Sequence, residues 1–231
     1  MANTARNKPG AERITEVEEV NPLDNLLTKY EGNKKRINTI LTVVLVAIVG
    51  FFAYTNLYQG PRETKAATAI GFAQRYFEAD SFDRALNGDG QHQGFLKIMK
   101  KYSGTATANL CNYYAGVCYL QKSDYKNAAK YLEDFDGKGT LIAYAAKGML
   151  GDAYMELKDT KKAMEAYEGA IGNPNDDVIT PTYLLRLGMV CEMNNKTEDA
   201  KKYYNRIKDE FPQSEQAREI DKYLGMLGEH D

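Results

Sequence analysis

The stretch Gly151-Asp152-Ala153-Tyr154-Met155-Glu156-Leu157-Lys158-Asp159-Thr160-Lys161-Lys162-Ala163-Met164-Glu165-Ala166-Tyr167 decides the fold, because its spacing occurs three times in the chain. A glycine is followed twelve residues later by an alanine at Gly116/Ala128, Gly151/Ala163 and Gly188/Ala200. Three residues after each glycine stand Tyr119, Tyr154 and Cys191, and four after each alanine stand Leu132, Tyr167 and Tyr204. Pro212 closes the last unit. The glycines lie 35 and 37 residues apart, the period of stacked helix hairpins. The spacing predicts an all-α chain whose main domain is an α-solenoid, an architecture that binds far more often than it catalyses.

Outward from that core, helix pairs are expected at 107–121 with 124–136, 140–157 with 160–171, and 179–194 with 197–210. The corresponding repeats cover about 109–138, 144–175 and 181–213. Asp124 and Thr197 are the expected N-caps. Ahead of them, helical pieces at 65–79, 81–86 and 95–102 flank the turn Asn87-Gly88-Asp89-Gly90. Residues 65–104 therefore read as a divergent first repeat with an enlarged hairpin loop. A solenoid exposes an apolar face at its end, and the helix expected from Ser214 to about Leu227 closes it with a polar outer side.

The N-terminal part follows a different pattern. Residues 37–58 contain no charged side chain. As a helix they span about 33 Å, enough for a hydrocarbon core of about 30 Å. Thr39, Thr42 and Thr55 can bond back to their own helix. The 36 residues ahead are too many for a signal-peptide n-region, and no small-x-small cleavage site follows, so an uncleaved anchor is expected. Lys34, Lys35 and Arg36 precede the stretch, whereas Arg62 and Lys65 after it are diluted by Glu63. The positive-inside rule places residues 1–36 in the cytoplasm and 59–231 across the membrane, in the periplasm of a bacterial cell. Residues 1–20 lack apolar periodicity and are expected to be disordered. Asn21–Tyr30 is expected either as a short helix with Leu23, Leu26, Leu27 and Tyr30 on one side, lying on the membrane surface, or as a solvated spacer.

Composition narrows the chemistry. A net charge of −2 with no basic stripe argues against nucleic acid. Cys111 and Cys118 lie too far apart on one helix for a disulfide, and with Cys191 they read as small buried apolar residues. His92 and His230 have no companion at ligand spacing. No phosphate-cradling loop or nucleophile elbow is present, so no catalytic residue, metal, cofactor or small-molecule substrate is expected.

The recurring template resembles the tetratricopeptide repeat family. That resemblance assigns the concave face to the first helix of each pair. Its protein-binding residues would be Tyr113, Val117 and Leu120 in one unit, Asp152, Met155 and Glu156 in the next, and Leu185, Met189 and Met193 in the last. The Lys/Asn/Arg carboxylate clamp of chaperone-tail-binding members is missing, since Tyr113 and Val117 occupy its lysine and asparagine positions. The groove is instead apolar and rich in methionine, a side chain that adapts to varied partners. Two states remain open: an accessible groove, or one covered by the N-terminal unit or the closing helix.

Cytoplasmic tail, single span and exported repeat domain together are similar to the YfgM-like inner-membrane proteins of Gram-negative bacteria. Tyr76–Gly90, Asn112–Gly116 and Gly151–Glu156 carry that resemblance. It implies an accessory of the SecYEG translocon that passes exported polypeptides to periplasmic chaperones. A dedicated scaffold for envelope assembly and a receptor facing the cytosol are the competing classes, and the Lys34-Lys35-Arg36 cluster disfavours the second.

Overall fold

A computed structural model describes the backbone of residues 22–172 and 176–228, and the side chains of those from Tyr30 onward. The expectation for residues 1–20 and the position of His230 lie outside the described residues. Two compact units emerge, Met1–Thr55 and Asn56–Asp231. All regular elements among the described residues are helical, apart from one isolated bridge between Gly88 and Gln93.

The first unit is built on α1, Pro22–Ala53. Residues 22–30 are therefore neither a separate short helix nor a spacer but part of this one helix. Pro22 starts the helix without an interruption before the apolar stretch, as suits a proline, whose missing N–H costs nothing in a first turn. The leucine face proposed there belongs to side chains outside the described residues. Thr39 and Thr42 donate to the carbonyls of Lys35 and Asn38, each at 2.8 Å, so their hydroxyls are satisfied within the helix. The helix is long and apolar enough to cross a membrane, and none of its apolar window is buried. A core helix of a soluble protein would be mostly covered.

A single π-helical stretch, Tyr54–Gln59, leads to the second unit. That unit contains α2 (Gly60–Glu78), α3 (Phe82–Asn87), α4 (Phe95–Lys101), α5 (Ala106–Gln121), α6 (Tyr125–Glu133), α7 (Leu141–Glu156), α8 (Thr160–Ala170), α9 (Ile179–Met193), α10 (Thr197–Glu210) and α11 (Ala217–Met226). Helix α2 starts five residues earlier than its apolar pattern suggests, because Pro61 is well placed in a first turn. The first turn then grips the α4–α5 connection from both sides. Arg62 donates to the carbonyls of Lys101 and Ser103 at 3.2 Å, while the Glu63 carboxylate accepts from the N–H groups of Ala106 at 2.6 Å and Thr107 at 3.0 Å.

Four hairpins share one turn. Asp80, Ser123, Lys158 and Asn195 each adopt a left-handed backbone, with φ between 53° and 64°. The next N–H reaches back five residues, from Ser81 to Tyr76, Asp124 to Tyr119, Asp159 to Tyr154 and Lys196 to Cys191, at 2.8–2.9 Å. This is the Schellman closure, which satisfies carbonyls that the helix end would otherwise orphan. The residue after the left-handed one is the cap of the following helix. Asp124 and Asp159 accept there from the N–H groups of Asn127 and Lys162. Thr197 is not a cap: the turn puts Lys196 in that position, and Thr197 is the first helical residue.

The first repeat corrects a further expectation. Its hairpin loop is not enlarged, since Asp80 makes the same turn as the others. What is broken is the second helix, which stops at Asn87 and resumes at Phe95. Counted from the turn, Ala73 and Ala85 stand where other repeats have glycine and alanine, and both are fully buried. Asp89 falls where Leu132, Tyr167 and Tyr204 press on their glycines, so Ala73 has room for its Cβ. Asp89 instead organises the interruption, accepting from the N–H groups of Gln91 (2.9 Å) and His92 (2.6 Å) and from the Tyr76 hydroxyl (2.7 Å). Its other bond is to the His92 ring at 2.9 Å, and that ring stacks on Phe72 with centroids 3.5 Å apart.

The core runs through the array as three successive clusters, centred on α2–α5, α6–α9 and α9–α11. Helix α11 buries Ile220 and Leu224 against Tyr204 and Ile207, leaving Arg218, Glu219 and Lys222 outside. The three cysteines are free and buried.

Candidate protein-binding groove

Each glycine of the repeated template is a seat for the large side chain sixteen residues on. A Cβ on Gly116 would lie 2.6 Å from Leu132 Cγ, and one on Gly151 or Gly188 would intrude on the ring of Tyr167 or Tyr204. Ala128, Ala163 and Ala200 are fully buried at the facing positions. Tyr154 is buried beside them with its hydroxyl on the Glu133 carboxylate, and Cys191 takes the equivalent place in the last repeat. Pro212 lies exposed just beyond α10, where it cannot extend the helix.

Residues of α7 and α9 line a cleft of about 370 Å³. Leu120, Asp152, Met155, Glu156, Met189 and Met193 line it, with Tyr125, Tyr167, Arg186 and Val190. Thus six of the nine residues assigned from the repeat register come together. The side chains of Met189 and Met193 are 37% and 72% exposed, and α11 packs elsewhere, so the described chain does not cover this face.

The other three residues stand apart. Val117 is buried at 7% exposure, away from the cleft lining. Tyr113 turns to Tyr114 and Phe135, with ring centroids 5.5 and 5.6 Å away, as the 134–140 segment folds across it. Asn109 pins that segment by exchanging hydrogen bonds with the Asp136 backbone at 2.7 and 2.9 Å. Leu185 faces a separate cleft with Gln216, Glu219 and Tyr223 at the closing helix.

The floor carries an organised charge pair. Asp152 accepts from the Tyr167 hydroxyl at 2.7 Å and pairs with Arg186 at 2.9 Å. Burial raises the Asp152 carboxyl above its ordinary range, outweighing the Tyr167 hydrogen bond and the Arg186 charge that pull it down. Burial also raises the Tyr167 hydroxyl, and the Asp152 bond raises it further, which fixes Tyr167 as a neutral donor. Arg186 lies over the Tyr183 ring at 5.9 Å from its centroid.

Arg186 was detectable from the sequence: it stands three residues before Met189, hence on the same helical face. Tyr167 and Tyr125 come from second helices of their pairs, which a register built on first helices passes over. The described residues include no cluster of three or more His, Cys, Asp or Glu able to hold a metal ion.

Residues 144–177 match the tetratricopeptide repeat family, and residues 183–214 match a second model of the same repeat. Among curated proteins none matches the chain. The matched segments are the α7/α8 and α9/α10 hairpins that form the groove. Two consecutive matches on hairpins with one shared turn geometry show that this part of the chain is built of tetratricopeptide repeats.

Proposed function

We propose that the protein is a membrane-anchored binding module that holds segments of other polypeptides in the groove between α7 and α9. Tetratricopeptide repeats are a protein–protein interaction architecture, and α1 has the length and composition of a single span. The observation that carries the proposal is the accessible methionine pair Met189 and Met193 beside the half-buried Met155. Unbranched thioether side chains left open to solvent suit a surface that repacks around different sequences.

The finer assignment is to the periplasmic side of a bacterial inner membrane, as an accessory of the SecYEG translocon that hands exported chains to chaperones. The basic cluster Lys34-Lys35-Arg36 supports that orientation, and the similarity in layout to YfgM-like proteins supports the role. Protease added outside spheroplasts should remove the repeat domain and leave the anchor protected. Affinity isolation after crosslinking should then return translocon subunits, chaperones and a mixture of exported chains. A single stoichiometric envelope protein would replace this role with that of a dedicated scaffold, and a protease-resistant repeat domain would reverse the orientation.

A further inference from the structure

The charges of the groove do not cancel. Arg186 is matched by Asp152 at 2.9 Å. Glu156 projects from the last turn of α7 at the same cleft, is exposed, and has no ion pair or hydrogen bond among the described residues. Its charge is close enough to push the Asp152 carboxyl upward, so it is part of the same electrostatic site. Lys122, which follows the helix bearing Leu120, is tied to Asp83. The cleft therefore presents thioether and aromatic surface with one unmatched negative charge at its edge.

We infer that the groove selects polypeptide segments in which a large apolar side chain stands beside a lysine or arginine, the apolar group entering among Met155, Met189 and Met193 and the cation meeting Glu156. This rests on the groove being the binding site. An acidic segment would set a second carboxylate against Glu156 and Asp152, with no unpaired cation among the described residues that line the cleft, so the same geometry disfavours it. Tyr125 lines the same cleft, and cations are attracted to aromatic rings.

The test uses the full-length protein in detergent micelles and two fluorescein-labelled peptides of about twelve residues. Both carry the same leucine and phenylalanine, flanked in one by arginine and in the other by glutamate. Anisotropy titration at low salt should show the basic peptide binding about five-fold more tightly, the scale of one partly screened ion pair. The preference should shrink with added salt. Glu156→Gln should remove it and Glu156→Lys should reverse it, with circular dichroism checking that both variants remain folded. Equal affinities that Glu156→Lys leaves unchanged, but that Met189→Glu abolishes, would overturn the charge selection while leaving the groove in place. Failure of both peptides to bind would count against the groove itself, and the selection would fall with it.

Discussion

The ring of Tyr167 occupies the space that a side chain on Gly151 would need, and its hydroxyl is bonded to Asp152, the very next residue. One tyrosine thus packs the α7/α8 hairpin and positions the groove's charge pair. Packing and the proposed binding surface meet at that contact.

Filling Gly151 should therefore loosen the array. Gly151→Ala places a methyl group against a ring that is 2% exposed and held at its far end. Overpacking of this kind costs about 1–3 kcal/mol, so the melting temperature should fall by several degrees. Gly71 is the control. A Cβ at this helical position meets nothing within 4 Å, and Gly71→Ala should stabilise by about 0.5–1 kcal/mol. Equal shifts of one sign would refute the packing argument.

Tyr167→Phe keeps the ring and removes the hydroxyl. Asp152 then loses one of the two contacts that hold its carboxyl down. A cost of about 1.5–3 kcal/mol in urea unfolding is expected, the range for a hydrogen bond to a charged group. The Asp152 carboxyl should also titrate higher than in the parent protein, as carboxyl NMR would show. An unchanged titration would mean that the hydroxyl is immaterial to the charge pair.

The thiols supply a readout of burial. Desolvation pushes Cys111 and Cys118 up to about 12, and Cys191 upward as well. At pH 8 none should react with an alkylating reagent on the timescale that labels all three in urea. Rapid labelling of native protein would show that the repeat core opens.

Much of this was legible in the chain, and the failures have physical causes. Three repeats could be found because Gly116, Gly151 and Gly188 each face a bulky residue, a demand that leaves a fixed mark in the sequence. In the first repeat that partner is replaced by Asp89 in a loop, so Ala73 is tolerated and the glycine mark disappears. The groove was legible where α7 and α9 are adjacent. The register does not extend to Tyr113, because local spacing does not show that the 134–140 segment folds back over that ring. The left-handed turn residues Asp80, Ser123, Lys158 and Asn195 share no residue type, and only their geometry reveals the common closure.

Acid should act on the interrupted helix of the first repeat. Hydrogen bonds from the His92 ring, the His92 N–H and the Tyr76 hydroxyl hold the Asp89 carboxyl well below its usual range. With a depressed folded pKa, its contribution to stability is present above the unfolded value of about 3.9 and is lost as pH falls toward the folded value. The gap in melting temperature between the parent protein and Asp89→Ala should hold steady from pH 7 to about 5. It should then narrow below about pH 4. A gap of the same size at pH 2.5 would show that Asp89 acts through something other than its charge.

The central claim is that the cleft between α7 and α9 receives another polypeptide. Its most direct test is photocrosslinking in cells from probes placed at Met155 and Met193, with Val117 as the buried control. Intermolecular products at both groove positions and none at Val117 are the predicted result. Expressed, folded protein that gives no intermolecular product at either methionine would contradict it.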